Sequence, residues 1–199
     1  IGNGVALDPN ILISELDQLQ KANIDVSRLI ISDRAHIVFP FHRLLDSLEE
    51  SRLQDKAIGT TMRGIGPTFV DKTARRGVRM GDLLDRDNFR EKVTEIVEYV
   101  NVLLEKVYGH EGVDLQELFD LGDEWTSRLS HSITQTEMLI NSALNENKEV
   151  LLEGAQGTLL DLDFGTYPYV TSSHPGVSGA YQGAGIGQGA FVVKEGVSR

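Results

Sequence analysis

Apolar positions recur first at helical spacing. Leu12, Leu16 and Leu19 share one face of a segment opened by Asp8-Pro9, an N-cap residue followed by proline at the first helical position. A helix is predicted over 9–22. The stretch Gly2 to Leu7 before it, and the β-branched run Arg28-Leu-Ile-Ile-Ser32 after it, read as buried strands. That β-α-β order points to parallel pairing. A second helix is predicted over 41–53 with Leu44, Leu45 and Leu48 inward. From Asp87 the stripe Phe89, Val93, Ile96, Val97, Val100, Leu103, Leu104 and Val107 continues until Gly109 ends it. A short helix is predicted over 114–121. Trp125, Leu129, Ile133, Thr136, Ile140 and Leu144 mark another long one. Glu149-Val-Leu-Leu-Glu153 is predicted as a strand running into Gly154-Ala-Gln-Gly157. The tail beyond Pro168, with glycines at 176, 179, 183, 185, 187 and 189, is predicted to be loop-rich. The helices between about 34 and 130 form a lobe inserted between two parts of a sheet, which divides the chain into 1–33, 34–130 and 131–199.

Composition narrows the picture. The chain has 199 residues, 40% hydrophobic and 25% charged, a formal net charge of −11 and no cysteine. Disulfides, thiolate metal sites and a Cys nucleophile are excluded, and a reducing compartment is compatible. No apolar run approaches the ~18 residues that span a bilayer. Neither a signal pattern nor an initiator Met opens Ile1-Gly-Asn-Gly, and Phe191-Val-Val-Lys-Glu-Gly-Val-Ser-Arg199 stops without closing an element. The expectation is a segment of something larger.

Against this acidic background, Ala57-Ile-Gly-Thr-Thr-Met-Arg-Gly-Ile-Gly-Pro67 and Lys72-Thr-Ala-Arg-Arg-Gly-Val-Arg79 concentrate paired hydroxyls, glycines and cations. Glycines let backbone N–H groups approach an anion, Thr hydroxyls add donors, and guanidinium forks match phosphate. The span reads mostly as loop and as a local phosphate site, or else as a flexible loop beside a solvated basic face. Arg75 and Arg76 are adjacent, so they point apart in any regular element. A nucleic-acid surface is not expected, because a polyanion is repelled by the rest of the molecule.

A second constellation is Glu153-Gly-Ala-Gln-Gly157 at the carboxyl end of an apolar strand, the edge where ligands sit in open α/β sheets. Gln156 offers one donor and one acceptor, which suits a purine lactam edge as well as a plain turn tip. In the third, Asp161 and Asp163 read as turn and cap residues before a divalent-cation pair. Thr171, Ser172 and Ser173 suit a phosphate or sugar, with His174 beside them. The five histidines show no zinc spacing, and GxxxxGK[ST] does not occur in the chain.

At this point the residues match a known family. Ile58-Gly-Thr-Thr-Met-Arg-Gly-Ile-Gly-Pro67, Asp71-Lys72, Ala74-Arg-Arg-Gly77, Gly81-Asp-Leu83, Glu153-Gly-Ala-Gln-Gly-Thr-Leu-Leu-Asp161, Gly165-Thr-Tyr-Pro-Tyr-Val-Thr-Ser-Ser173 and Ile1-Gly-Asn-Gly4 closely resemble adenylosuccinate synthetase, in its order and spacing. The resemblance implies an α/β fold with a mainly parallel, P-loop-related sheet and an inserted all-helical subdomain. It implies a cytoplasmic homodimeric ligase of purine biosynthesis that joins IMP and L-aspartate at the expense of GTP, with Mg2+, through a 6-phosphoryl-IMP intermediate. Thr61 is implied to contact the IMP phosphate, Arg75 to reach the IMP phosphate of the neighbouring subunit, Gln156 to lie by the purine 6-oxygen, and Thr171 on the phosphate side. Lys72 is a lesser candidate for the same site. No catalytic residue and no metal ligand is implied within this segment, since the family's base, acid and GTP loop precede it and its aspartate loop follows it. Met62 stands where the family commonly has glycine, and His174-Pro-Gly-Val-Ser-Gly-Ala-Tyr181 replaces its usual run. Membrane and nucleic-acid partners are not implied. The segment alone is expected to bind IMP weakly and not to turn over. The alternative is a non-catalytic purine-nucleotide-binding protein, and the plainest reading is a helical protein with an incidental basic loop.

Overall fold

In the computed structural model, residues 1–54 and 58–187 are described. The first helix, α1 (Pro9–Lys21), starts where the sequence places it. The Asp8 carboxylate accepts the Asn10 and Ile11 N–H groups, and Pro9 occupies the first turn, where no N–H partner is needed. The strands are shorter than expected. β1 (Ala6–Leu7) pairs in parallel with β3 (His36–Ile37), a strand the sequence pattern does not reveal, and β2 (Ile31–Ser32) pairs in parallel with β4 (Ile133–Thr134). Ser32 N–H still donates to the Ile1 carbonyl, so the two predicted strand segments run side by side without forming a ladder. The α/β class with parallel pairing stands.

Six further helices surround these ladders: α2 (Pro40–Leu53), α3 (Ile65–Ala74), α4 (Arg86–Leu103), α5 (Leu115–Leu129), α6 (Thr136–Asn145) and α7 (Val177–Ala184). The core draws Ile13, Phe39, Phe41, Val93, Ile96 and Trp125 into one cluster. Phe39 stacks on Phe41 at 5.1 Å between centroids and meets Trp125 at 5.6 Å. Trp125 also reaches back to α1, its indole N–H donating to Asn10 Oδ1 at 2.7 Å. α4 follows its apolar stripe, passes through a π-helical turn (Leu104–Tyr108) and stops at Gly109 in the left-handed conformation.

Three expectations are corrected. The glycine-rich span is not mostly loop, because α3 begins inside it: Pro67 sits in the first turn, which tolerates a missing N–H, and Thr68 closes the turn onto the Gly64 carbonyl. The short helix at 114–121 extends as α5 to Leu129, with Leu118, Gly122, Trp125 and Leu129 on one buried face, so Trp125 and Leu129 do not belong with Ile133 and Leu144. The chain breaks between them because Ile133 pairs with Ile31. Residues 149–153 form no strand: among the described residues nothing hydrogen-bonds along them as a ladder, and Leu151 is 88% exposed. Within the loop-rich tail, α7 forms and the Gly183 carbonyl accepts the Gly4 N–H. The expected open end at 191–199, Gly189 and Ala57 lie outside the described residues. Among those described, no helix is long and apolar enough to cross a membrane.

Candidate phosphate-binding site

The loop 58–64 is shaped from beneath by α2. His42, Asp46 and Glu50 follow each other at four-residue intervals, so they form one continuous helix face, and all three are buried. Asp46 accepts the Thr60 hydroxyl and the Gly64 N–H, each at 2.9 Å. Glu50 accepts the Ile58 and Gly59 N–H groups at 3.2 and 3.0 Å. The amides of Ile58, Gly59 and Gly64 therefore face the protein's own carboxylates and not the ligand side, which corrects the expectation that these amides cradle phosphate. Thr60 is also engaged inward, its hydroxyl accepting the Met62 N–H while donating to Asp46. What the loop turns outward is Thr61, exposed and without a hydrogen-bond partner among the described residues. Met62 takes φ +53°, a left-handed conformation that accounts for glycine being at ease at that position.

The basic half divides. Arg76 Nε donates to Asp71 Oδ1 at 2.7 Å and its guanidinium lies 4.0 Å from the Tyr99 ring centroid, so it serves the scaffold. Asp71 also meets His42, whose Nδ1 accepts the Phe39 N–H; this places the proton on Nε2, facing Asp71 Oδ2 at 3.0 Å. Burial outweighs the Asp71 hydrogen bond and charge, and holds His42 below its ordinary pKa. Lys72 lies 5.2 Å from the Phe69 ring, with its pKa lowered by burial and by Arg79. The two cations and burial also depress His36, burial most, to about 4. Arg75 points elsewhere than Arg76, as adjacency requires. It is exposed at the left-handed C-cap of α3, with φ +64°. Arg63 lines a cavity of about 220 Å³ that it shares with Asp8 and Glu15.

The third segment folds over this loop. A Cβ built on Gly66 would lie 3.4 Å from Ser172 Oγ, so the 171–173 hydroxyls sit against the first turn of α3. Thr171 and Ser173 hydroxyls are 3.4 Å apart. A Cβ on Gly154 would lie 3.7 Å from the Pro175 carbonyl, so the turn that carries Gln156 starts near the segment that follows the hydroxyl run. Asp161 is a turn residue: its carboxylate accepts the Asp163 and Phe164 N–H groups and faces His174 Nδ1 at 3.3 Å. Burial works against its ionisation, but those three hydrogen bonds prevail and keep its pKa low. Thr61 and Thr171 thus belong to contacting segments, with exposed Gln156 on the adjoining turn, while Arg75 stands at the opposite end of a ten-residue helix, roughly 15 Å away by helical rise. Asp46 and Glu50 are the residues that sequence reasoning passed over. Their spacing from His42 is the available signal, but it equally describes a solvated helix face.

A sequence model of the adenylosuccinate synthetase family matches residues 1–199. The adenylosuccinate synthetases of Heliobacterium modesticaldum and Halothermothrix orenii are 54% and 50% identical to the chain over 187 residues, covering 94% of it and 44% of each of them. A solved structure of fully ligated adenylosuccinate synthetase from Plasmodium falciparum matches with a TM-score of 0.85 at 34% identity, covering 96% of this chain and 44% of that one. The chain spans less than half the length of these relatives.

Proposed function

The chain belongs to the adenylosuccinate synthetase family, and from that premise we propose that it carries the IMP half-site of a GTP-dependent ligase joining IMP to L-aspartate. The observation that carries the reading is the close approach of Gly66, in the first turn of α3, to Ser172, which brings the helix that follows the Thr61 loop against the segment that carries Thr171. In this reading Thr61 and Thr171 donate hydroxyl hydrogen bonds to the nucleotide phosphate from two sides. Gln156 meets the purine 6-oxygen and N1 edge with its amide, which fixes the ring for attack. The 6-oxygen takes the γ-phosphoryl group of GTP as GDP departs and N1 gives up its proton. The aspartate amine then forms its bond to C6 as the phosphorylated oxygen departs with its electron pair, and the amine loses a proton. Positioning and charge stabilisation supply the rate in such a transfer.

Arg75 is assigned to the IMP phosphate of a partner protomer. Its place a helix length from Thr61 supports this, because one phosphate cannot touch both within a single subunit. The division into 1–33, 34–130 and 131–199 belongs to the same proposal, with the middle part as an inserted lobe that is helical beyond β3, the strand that pairs with β1. Among the described residues no group of three or more His, Cys, Asp or Glu is placed to hold a metal ion.

Titration of the chain with IMP and with inosine tests the reading. IMP should bind more tightly than inosine, and Thr61→Ala should narrow that difference while Gln156→Ala weakens both. Equal affinity for the two ligands, or a Thr61→Ala variant indistinguishable from the parent chain, would sink it.

A further inference from the structure

We propose that Asp46 and Glu50 are positioning residues for nucleotide binding, a carboxylate clasp that holds loop 58–64 in the shape that presents Thr61 to a phosphate. The inference rests on the reading of Thr61 as a phosphate donor. Two buried carboxylates beneath an anion site are unexpected on electrostatic grounds, since each repels the ligand. Their geometry resolves this. Every hydrogen bond of the two side chains goes upward to the loop, through Thr60 Oγ1 and the N–H groups of Ile58, Gly59 and Gly64. Among the described residues neither carboxylate has a cationic partner. They therefore serve no ion pair there, and their negative charge is spread over four donors.

The loop needs such a hold. Gly59, Met62 and Gly64 have φ of +79°, +53° and +76°, three left-handed residues within six. A free chain does not keep that conformation. With the clasp closed, the inward amides are spent, the Thr60 hydroxyl is spent, and Thr61 is left exposed, its hydroxyl without a partner among the described residues. Ligand then meets a preorganised donor, with less ordering left to do on binding.

Amide exchange by NMR, together with IMP and inosine titrations of the chain, tests the clasp in Glu50→Gln and Asp46→Asn. An amide side chain keeps the shape but replaces one acceptor with a donor. Exchange at Ile58, Gly59 and Gly64 should accelerate about tenfold or more while the α4–α5 core is unchanged. IMP affinity should fall at least about fivefold with inosine affinity unaltered. Glu49→Gln, one residue from Glu50 and paired with Arg52, should change neither. Unchanged exchange with unchanged IMP affinity overturns the clasp, and so does an equal loss for IMP and inosine, which marks a merely structural role. If the unsubstituted chain itself fails to prefer IMP over inosine, the phosphate reading falls and takes the clasp with it. Thr60→Val removes the Asp46 Oδ1 bond at an exposed position, and replaces Asp46→Asn if that variant unfolds.

Discussion

His42 donates its Nε2 proton to Asp71 Oδ2 at 3.0 Å, joining the first turn of α2 to the second half of α3 inside the protein. Asp71 holds Arg76 on its other oxygen. Removing the carboxylate leaves a buried imidazole N–H and a half-buried guanidinium without their acceptor. Asp71→Ala is expected to cost about 3 kcal/mol of stability, read from the urea midpoint at constant m. A loss below about 1 kcal/mol would show that the pair is dispensable.

Acid should destabilise the protein through its histidines. His36 has its pKa lowered from 6.5 to about 4, and His42 is lowered too, both chiefly by burial. The unfolded chain therefore binds protons that the folded one refuses. The resulting stability is complete above pH 6.5 and is lost as pH falls from there through the folded values. Urea midpoints should decline across that window, and His36→Gln should flatten the decline. A His36→Gln profile parallel to that of the parent would contradict the assignment.

Gly59 and Gly64 share a positive φ but differ in surroundings. A Cβ on Gly64 would come within 2.8 Å of the Arg43 nitrogen and the His42 carbonyl carbon, whereas nothing lies within 4 Å of one on Gly59. Gly59→Ala should cost about 1 kcal/mol from backbone strain alone, and Gly64→Ala about 3 kcal/mol or more once α2 and the loop are pushed apart. Thermal melts of the two variants would settle it; equal shifts would mean that the loop does not pack on α2 as described.

Arg75→Leu removes both the fork and the charge from an exposed residue with no ion pair among the described residues. Stability should hardly change. In a longer protein that contains this segment and dimerises, the apparent affinity for IMP should drop about tenfold or more. An unaltered IMP dependence would remove Arg75 from the site.

Local signals were legible from the residues alone. The Asp8-Pro9 cap set the start of α1, the apolar stripe with Gly109 set α4, and the motif order set the family. Adjacency alone separated Arg75 from Arg76. The failures share a cause. Glycine and proline around residues 64–67 carried two meanings, loop and helix start, and only the packing of α3 on α2 selects the second. The apolar run at 149–153 was strand-like, yet a strand exists only with a neighbour to bond.

Asp46 and Glu50 show the same division most sharply. The sequence by itself determined that they share a helix face with His42. Whether that face met water or a loop was decided by the tertiary structure, because burial is a property of what packs opposite and no spacing encodes it. Once α3 turned the loop over α2, two carboxylates that would have been solvated became the acceptors for four loop donors, and Thr61 was left facing out.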